Sequence, residues 1–149
     1  MSHVNVTKAV PALYEAQIAV EKAAVEAAEA AGLHPLLLDL VRLRASQLNG
    51  CAFCLRMHTQ DAMKNGETAD RLAVVAAWWE SQYFTEKEQA ALTLAEQVTL
   101  IGNAHTSPAP KVDVAAILTK EEIAAITALA ISINGWNRLA ITSGYPVAP

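Results

Sequence analysis

Cys51, Cys54 and His58 stand at spacings that fit thiol chemistry. Residues three and four apart on a helix share a face, so one helix through this segment lines up both sulfurs and the imidazole on a single stripe. Asn49-Gly50 precedes them as a break. Cys51 is therefore expected in the first turn of a new helix, where the dipole favours a thiolate. Two thiols at this spacing can close a local disulfide. An imidazole one turn along can take or relay the proton that leaves when a thiolate forms. The set provides one attacking sulfur, one resolving sulfur and one base.

Two other readings compete. A C-x-x-C pair also occurs in structural zinc sites, which close their ligand set with cysteine and histidine. This chain offers Cys51, Cys54, His58 and at most Asp39, with no second C-x-x-C. Alternatively, both cysteines are small buried hydrophobes and His58 is a core residue. Alignment of all three on one stripe at a helix start favours redox chemistry over either.

Nearly every segment around this stretch reads at helical period, and none alternates convincingly as a strand. A first helix is expected from about Val10 to Ala31, stopped by Gly32. Its polar stripe is Glu15, Lys22, Glu26 and Glu29. Pro35 suits the first turn of a second helix that ends at Asn49-Gly50. The cysteine helix should end at Asn65-Gly66, and a short helix should hold Ala69 to Glu80. Thr85 with Glu88, and Thr119 with Glu122, are capping boxes that open two more helices. The last reaches about Thr142 and is apolar nearly all round, which predicts burial on every side, partly by a neighbouring subunit. Gly102 to Val114 reads mostly as loop. The expectation is an all-α, single-domain helical bundle over residues 1–149, with about six helices.

Composition limits the partners. Apolar residues make up 53% of the 149 and charged residues 17%. So little charge leaves a lone monomer short of polar cover, and we read the apolar excess as subunit contact surface. The net charge is −4, with no basic run, so the positive footprint of a nucleic-acid binder is missing. Met1 to Pro11 lacks the charged start and apolar stretch of a signal peptide. The longest charge-free helical stretch, Ile123 to Asn137, falls short of the ~20 apolar residues of a membrane span. A cytoplasmic protein without a membrane partner is expected, and in that reducing compartment the cysteine pair should not be a permanent disulfide.

The stretch from Leu40 to Cys51, followed by C-x-x-C-x-x-x-H, resembles the alkyl hydroperoxidase D (AhpD)-like branch of the carboxymuconolactone decarboxylase superfamily. The likeness continues through Asp61-Ala62, Gly66-Glu67-Thr68, Arg71-Leu72, Trp78, Thr85-Glu86 with Glu88, and Ile133-Asn134 with Trp136 to Ile141. It spans about Leu36 to Ile141. The resemblance implies an AhpD-like fold assembled as trimers or hexamers. It implies reduction of a small-molecule hydroperoxide by the cysteine pair, recycled by a dithiol or thioredoxin-like reductant. It implies no cofactor: no metal, flavin or haem.

In the family scheme the second cysteine, here Cys54, attacks peroxide, and the first, here Cys51, resolves. His58 matches the proton relay. A glutamate twelve residues before the first cysteine would be the ultimate base, and here that position is Asp39. Aspartate keeps the carboxylate but shortens its reach by a methylene, so a water spans the gap or Asp39 pairs instead with Arg42 or Arg44. Helix-dipole reasoning alone would favour Cys51 as the attacking sulfur, and Cys51 is expected to be the more exposed of the two. We follow the family for the attack and assign Cys51 to the incoming thiol. A cysteine-independent decarboxylase or lactone-processing relative and a non-enzymatic redox sensor are the alternatives.

Other residues carry weaker expectations. Trp78, Trp79, Tyr83 and Phe84 should be packing residues before they are substrate contacts. Asn134, Trp136 and Asn137 lie in an apolar helix, where buried amides must find partners. His34 suits a helix start, and His105 a solvated loop. Ser46 and Gln47, just before the cysteines, are near enough to support the relay.

Overall fold

The structure, a computed structural model, describes residues 4–103, 107 and 109–149. Its helices, in order, are α1 (Val6–Ala9), α2 (Pro11–Ala30), α3 (Pro35–Asn49), α4 (Ala52–Lys64), α5 (Ala69–Val74), α6 (Glu86–Thr99), α7 (Val114–Ile117) and α8 (Lys120–Thr142). Short 3-10 turns occupy Val75–Glu80 and Ile101–Asn103. No strand occurs among the described residues. His105 lies outside them.

Local chemistry sets the helix ends. Pro35 follows His34, whose imidazole accepts the Leu36 N–H at 3.2 Å. Thr85 and Thr119 each accept the N–H three residues on, while Glu88 and Glu122 return the bond to the cap backbone. Two of the otherwise orphaned donors at each start are thereby satisfied.

The long helices α3, α6 and α8 pack on one another, α2 lies along α8, and α4 is laid against α3 and α8. Much of their shared core is alanine: Ala24 and Ala28 of α2, Ala90, Ala91 and Ala95 of α6, and Ala125 and Ala130 of α8, around Val41, Ile126 and Leu129. Small side chains let the helix axes approach closely, and Leu, Ile and Val fill the space between. A buried polar knot braces α3 against α6. Glu96 Oε1 accepts from Arg44 Nε at 2.8 Å and from Trp78 Nε1 at 2.9 Å, and Ser107 donates to its other oxygen.

Two sequence expectations change. The helix expected over Ala69–Glu80 is α-helical only to Val74 and then tightens, with Ala77 off helical geometry at φ −132°, ψ 39°. Trp78 is buried there and its indole reaches Glu96, a placement the kink accompanies. The number of helices rises because short α1 and α7 flank the larger elements. Within one chain Ile131 and Ile141 of the last helix remain exposed, on the part of its surface that the sequence reading left to a neighbouring subunit. Leu13, Ile18 and Val20 of α2 are exposed as well.

Candidate dithiol–imidazole site

The site begins at a sharp chain reversal. Gly50 takes the left-handed conformation at φ +66°, which an L side chain adopts only with strain, and so caps α3. Its N–H donates to Gln47 O, and that of Cys51 donates to Ser46 O at 3.0 Å. Cys51 is then extended (φ −87°, ψ 93°) and serves as the N-cap of α4, its sulfur accepting the Cys54 N–H at 3.4 Å. Cys51 is thus one step outside the first turn in which the sequence placed it. It is also as buried as Cys54, at 1% exposure each. The expected difference in exposure is absent because Gly50 turns the chain inward, under Ile133 and Ala140 of α8.

Both thiols are free, with their sulfurs 2.7 Å apart. Burial and the Cys51 contact push the Cys54 thiol up to about 12, against a hydrogen bond from Asn137 that favours the thiolate. Asn137 is fully buried on α8. Its Oδ1 accepts from Asn49 at 2.8 Å and its Nδ2 donates to Ser46 Oγ at 3.0 Å. Ser46 therefore touches the site through Asn137, whereas Gln47 accepts from Arg44.

His58 follows on α4, buried at 7% exposure. Among the described residues its Nδ1 has no hydrogen-bond partner, and the Asp61 carboxylate is 3.8 Å away. Burial, followed by the Arg42 charge, lowers its proton affinity to about 4, with Asp61 and Glu21 pulling the other way. At neutral pH the ring is an uncharged base.

Cys54 and His58 open together onto a cavity of about 360 Å³. Tyr14, Phe53, Met57, Trp136 and Tyr145 form its apolar wall, and Glu21 its third polar group. The aromatics are held edge to face, Tyr14 on Trp136 at 5.6 Å and Phe53 on Tyr145 at 5.1 Å between centroids. The chain termini fix that wall. Tyr145 donates to Thr7 Oγ1 at 2.8 Å, and the Val6 N–H donates to Ser143 Oγ. Cys51 faces a separate, smaller hollow of about 180 Å³ beside Ile141, Gly144 and Val147.

Asp39 is placed elsewhere. Its carboxylate accepts from Asn65 Nδ2 at 2.7 Å and pairs with Arg42 at 3.6 Å, away from the cavity lining. Burial raises its pKa, opposed by those two partners. Trp78 belongs to the Glu96 knot, and Tyr83 is exposed with its hydroxyl on Asp70. Asn134 accepts from Asn49 and donates to Thr99.

Glu21 went unnoticed in the sequence. The one available signal was its position next to Lys22 but off the polar stripe of α2, a carboxylate directed towards the packed side. Tyr14 and Tyr145 carried no signal at all. Among the described residues no group of three or more His, Cys, Asp or Glu is placed to hold a metal ion, and no helix is long and apolar enough to cross a membrane.

An all-helical scaffold that buries a C-x-x-C pair beside a histidine defines a class of helical dithiol proteins. The chain belongs to the carboxymuconolactone decarboxylase family, whose model matches residues 11–97, and within it to the AhpD-like branch. It is 39% identical over 110 residues to the uncharacterized protein YdfG of Bacillus subtilis, covering 74% of this chain and 75% of that one. With the uncharacterized protein YnjA of Escherichia coli it shares 31% identity over 68 residues, 46% of this chain and 37% of that one. A crystal structure of a protein of unknown function from Agrobacterium tumefaciens, named as a candidate antioxidant defence protein AhpD, superposes with a TM-score of 0.82 at 32% identity. That match covers 99% of this chain and 100% of the other.

Proposed function

We propose that the protein is a thiol-dependent peroxidase acting on small-molecule hydroperoxides. The observation that carries this reading is the 2.7 Å approach of the Cys51 and Cys54 sulfurs, with Cys54 and His58 sharing one cavity. The Cys54 thiol passes its proton to the neutral His58 ring. The sulfur then attacks the outer peroxide oxygen, the O–O bond breaks, and the departing alkoxide takes the proton from His58. Cys54 is left as a sulfenic acid. The Cys51 thiol attacks it, the disulfide closes and water leaves. An external dithiol or thioredoxin-like protein attacks the disulfide, is itself oxidised, and returns both cysteines to thiols. A cofactor plays no part in this scheme. Asp39 pairs with Arg42 and moves no proton in this scheme. In keeping with the family resemblance and the apolar residues left exposed on α2 and α8, the working form is a cytoplasmic homo-oligomer, a trimer or hexamer.

The test is turnover of hydrogen peroxide and of an organic hydroperoxide with excess dithiol, in wild type and Cys54→Ser. Turnover lost in the variant supports the reading. The deep burial of both sulfurs favours a second reading, a slow disulfide-exchange or sensing protein. Negligible turnover in the wild type, with a disulfide that still forms and reduces freely, would replace the first reading by the second.

A further inference from the structure

We propose that Glu21 of α2 is the carboxylate that backs His58 in taking the proton from Cys54, a positioning role that the family resemblance would assign to Asp39. The inference deepens the peroxidase reading and rests on it for the identity of the reaction.

Glu21 lines the cavity together with Cys54 and His58, and Asp39 does not. The Glu21 carboxylate is fixed at both oxygens. Arg42 Nη2 donates to Oε1 at 2.5 Å and Ser132 Oγ to Oε2 at 2.5 Å. Gln17, one turn earlier on α2, donates to the Ser132 carbonyl at 2.9 Å. A carboxylate held in this way cannot swing out to water when the cavity fills.

The charged groups that face His58 are Glu21 from α2, Arg42 from α3 and Asp61 from its own helix. The α8 residues of the cavity, Trp136 and Ala140, are uncharged. Proton transfer from Cys54 creates an imidazolium in a buried site, where unpaired charge is costly. Glu21 offsets that charge during the step and itself gains and loses no proton. A carboxylate behind a histidine has the same part in hydrolytic triads. Arg42 opposes the imidazolium directly, but its hydrogen bond holds Glu21 in place. Asp39 occupies the other side of Arg42, with Asn65.

The experiment follows the His58 ring by NMR titration in the reduced full-length protein. Alongside it, the Cys54 alkylation rate is measured against pH in a Cys51→Ser background. Glu21→Gln keeps an acceptor for Ser132 and removes the charge. It should lower the His58 midpoint below its value of about 4 and slow alkylation at neutral pH by about tenfold, the equivalent of one pK unit. Arg42→Gln should move the midpoint upwards. Glu21→Asp should recover part of the rate, and Glu26→Gln, an exposed change on the same helix, should alter neither readout. Movement of the midpoint in the same direction in Glu21→Gln and Arg42→Gln would mark a packing defect and overturn the proposal. So would an unchanged midpoint and rate in Glu21→Gln, or an effect carried by Asp39→Asn instead. Neither readout consumes peroxide, so absent turnover would sink the peroxidase reading without deciding this one.

Discussion

The side-chain amide of Asn137, near the end of α8, hydrogen-bonds the sulfur of Cys54, near the start of α4. Together with the backbone N–H of Cys54, that contact favours a thiolate in surroundings that otherwise disfavour it. Asn137→Ala should therefore raise the pH needed to alkylate Cys54. It also takes from the Ser46 hydroxyl its Asn137 donor, while the Asn49 amide keeps Asn134. A buried group left unsatisfied costs about 1–3 kcal/mol, so the urea midpoint should fall accordingly. Unchanged alkylation in the folded variant would reduce Asn137 to a packing residue.

The resting pair should be slow towards ordinary electrophiles. Raising a thiol from 9.0 to about 12 lowers its thiolate fraction about a thousandfold at neutral pH. Iodoacetamide should label the folded, reduced protein at least about a hundredfold more slowly than the same thiols in urea. Comparable rates would show the sulfurs open to solvent.

The same burial makes turnover depend on the base. His58→Gln should lower kcat/KM for hydroperoxide by about 10²–10⁴, the usual contribution of a general base. Retention of full rate would show that the proton leaves by another route.

Stability should depend on pH through His58. Its folded pKa, about 4, is lowered from 6.5, so the unfolded chain binds more protons between those values and stability rises with pH across that window. The contribution is complete above 6.5 and is lost as pH falls to 4, amounting to about 3 kcal/mol at most. Asp39, whose pKa is raised, acts in the opposite sense at the acid end. Urea midpoints for wild type and His58→Gln should therefore converge near pH 4 and separate towards neutrality. Parallel curves would exclude this linkage.

The knot between α3 and α6 offers a prediction remote from the cysteines. Glu96→Ala leaves Arg44 charged and buried, with the Trp78 indole unpaired. Breaking one partner of such a pair costs about 3–5 kcal/mol. Thr119→Ala, which removes only a cap, should cost about 1 kcal/mol. Thermal or urea melts of both variants test the ranking.

Much of the architecture was legible because it is encoded over short separations. The ends of α2, α3 and α4 lie within a residue or so of their expected places, because Pro35, Gly32, Asn49-Gly50 and Asn65-Gly66 act on the backbone where they stand. The capping boxes at Thr85 and Thr119 form as expected for the same reason. The i, i+3 spacing of the cysteines and the i+4 step to His58 likewise required no knowledge of the rest of the chain.

Packing decided what remained. The inward turn at Gly50, which buries both sulfurs, depends on α8 lying over them. The kink at Ala77 accompanies Trp78 reaching a carboxylate on another helix. The family resemblance directs attention to Asp39, yet the packing of α2 on α8 brings Glu21 to the cavity, while Asp39 is held by Asn65. The sequence by itself determined the helices, their caps and the dithiol–imidazole stripe, since these follow from bonds between near neighbours. Only the tertiary structure decided which distant carboxylate, amide and aromatic rings surround that stripe. Their meeting depends on how alanine-lined helix faces stack, and no local pattern records that.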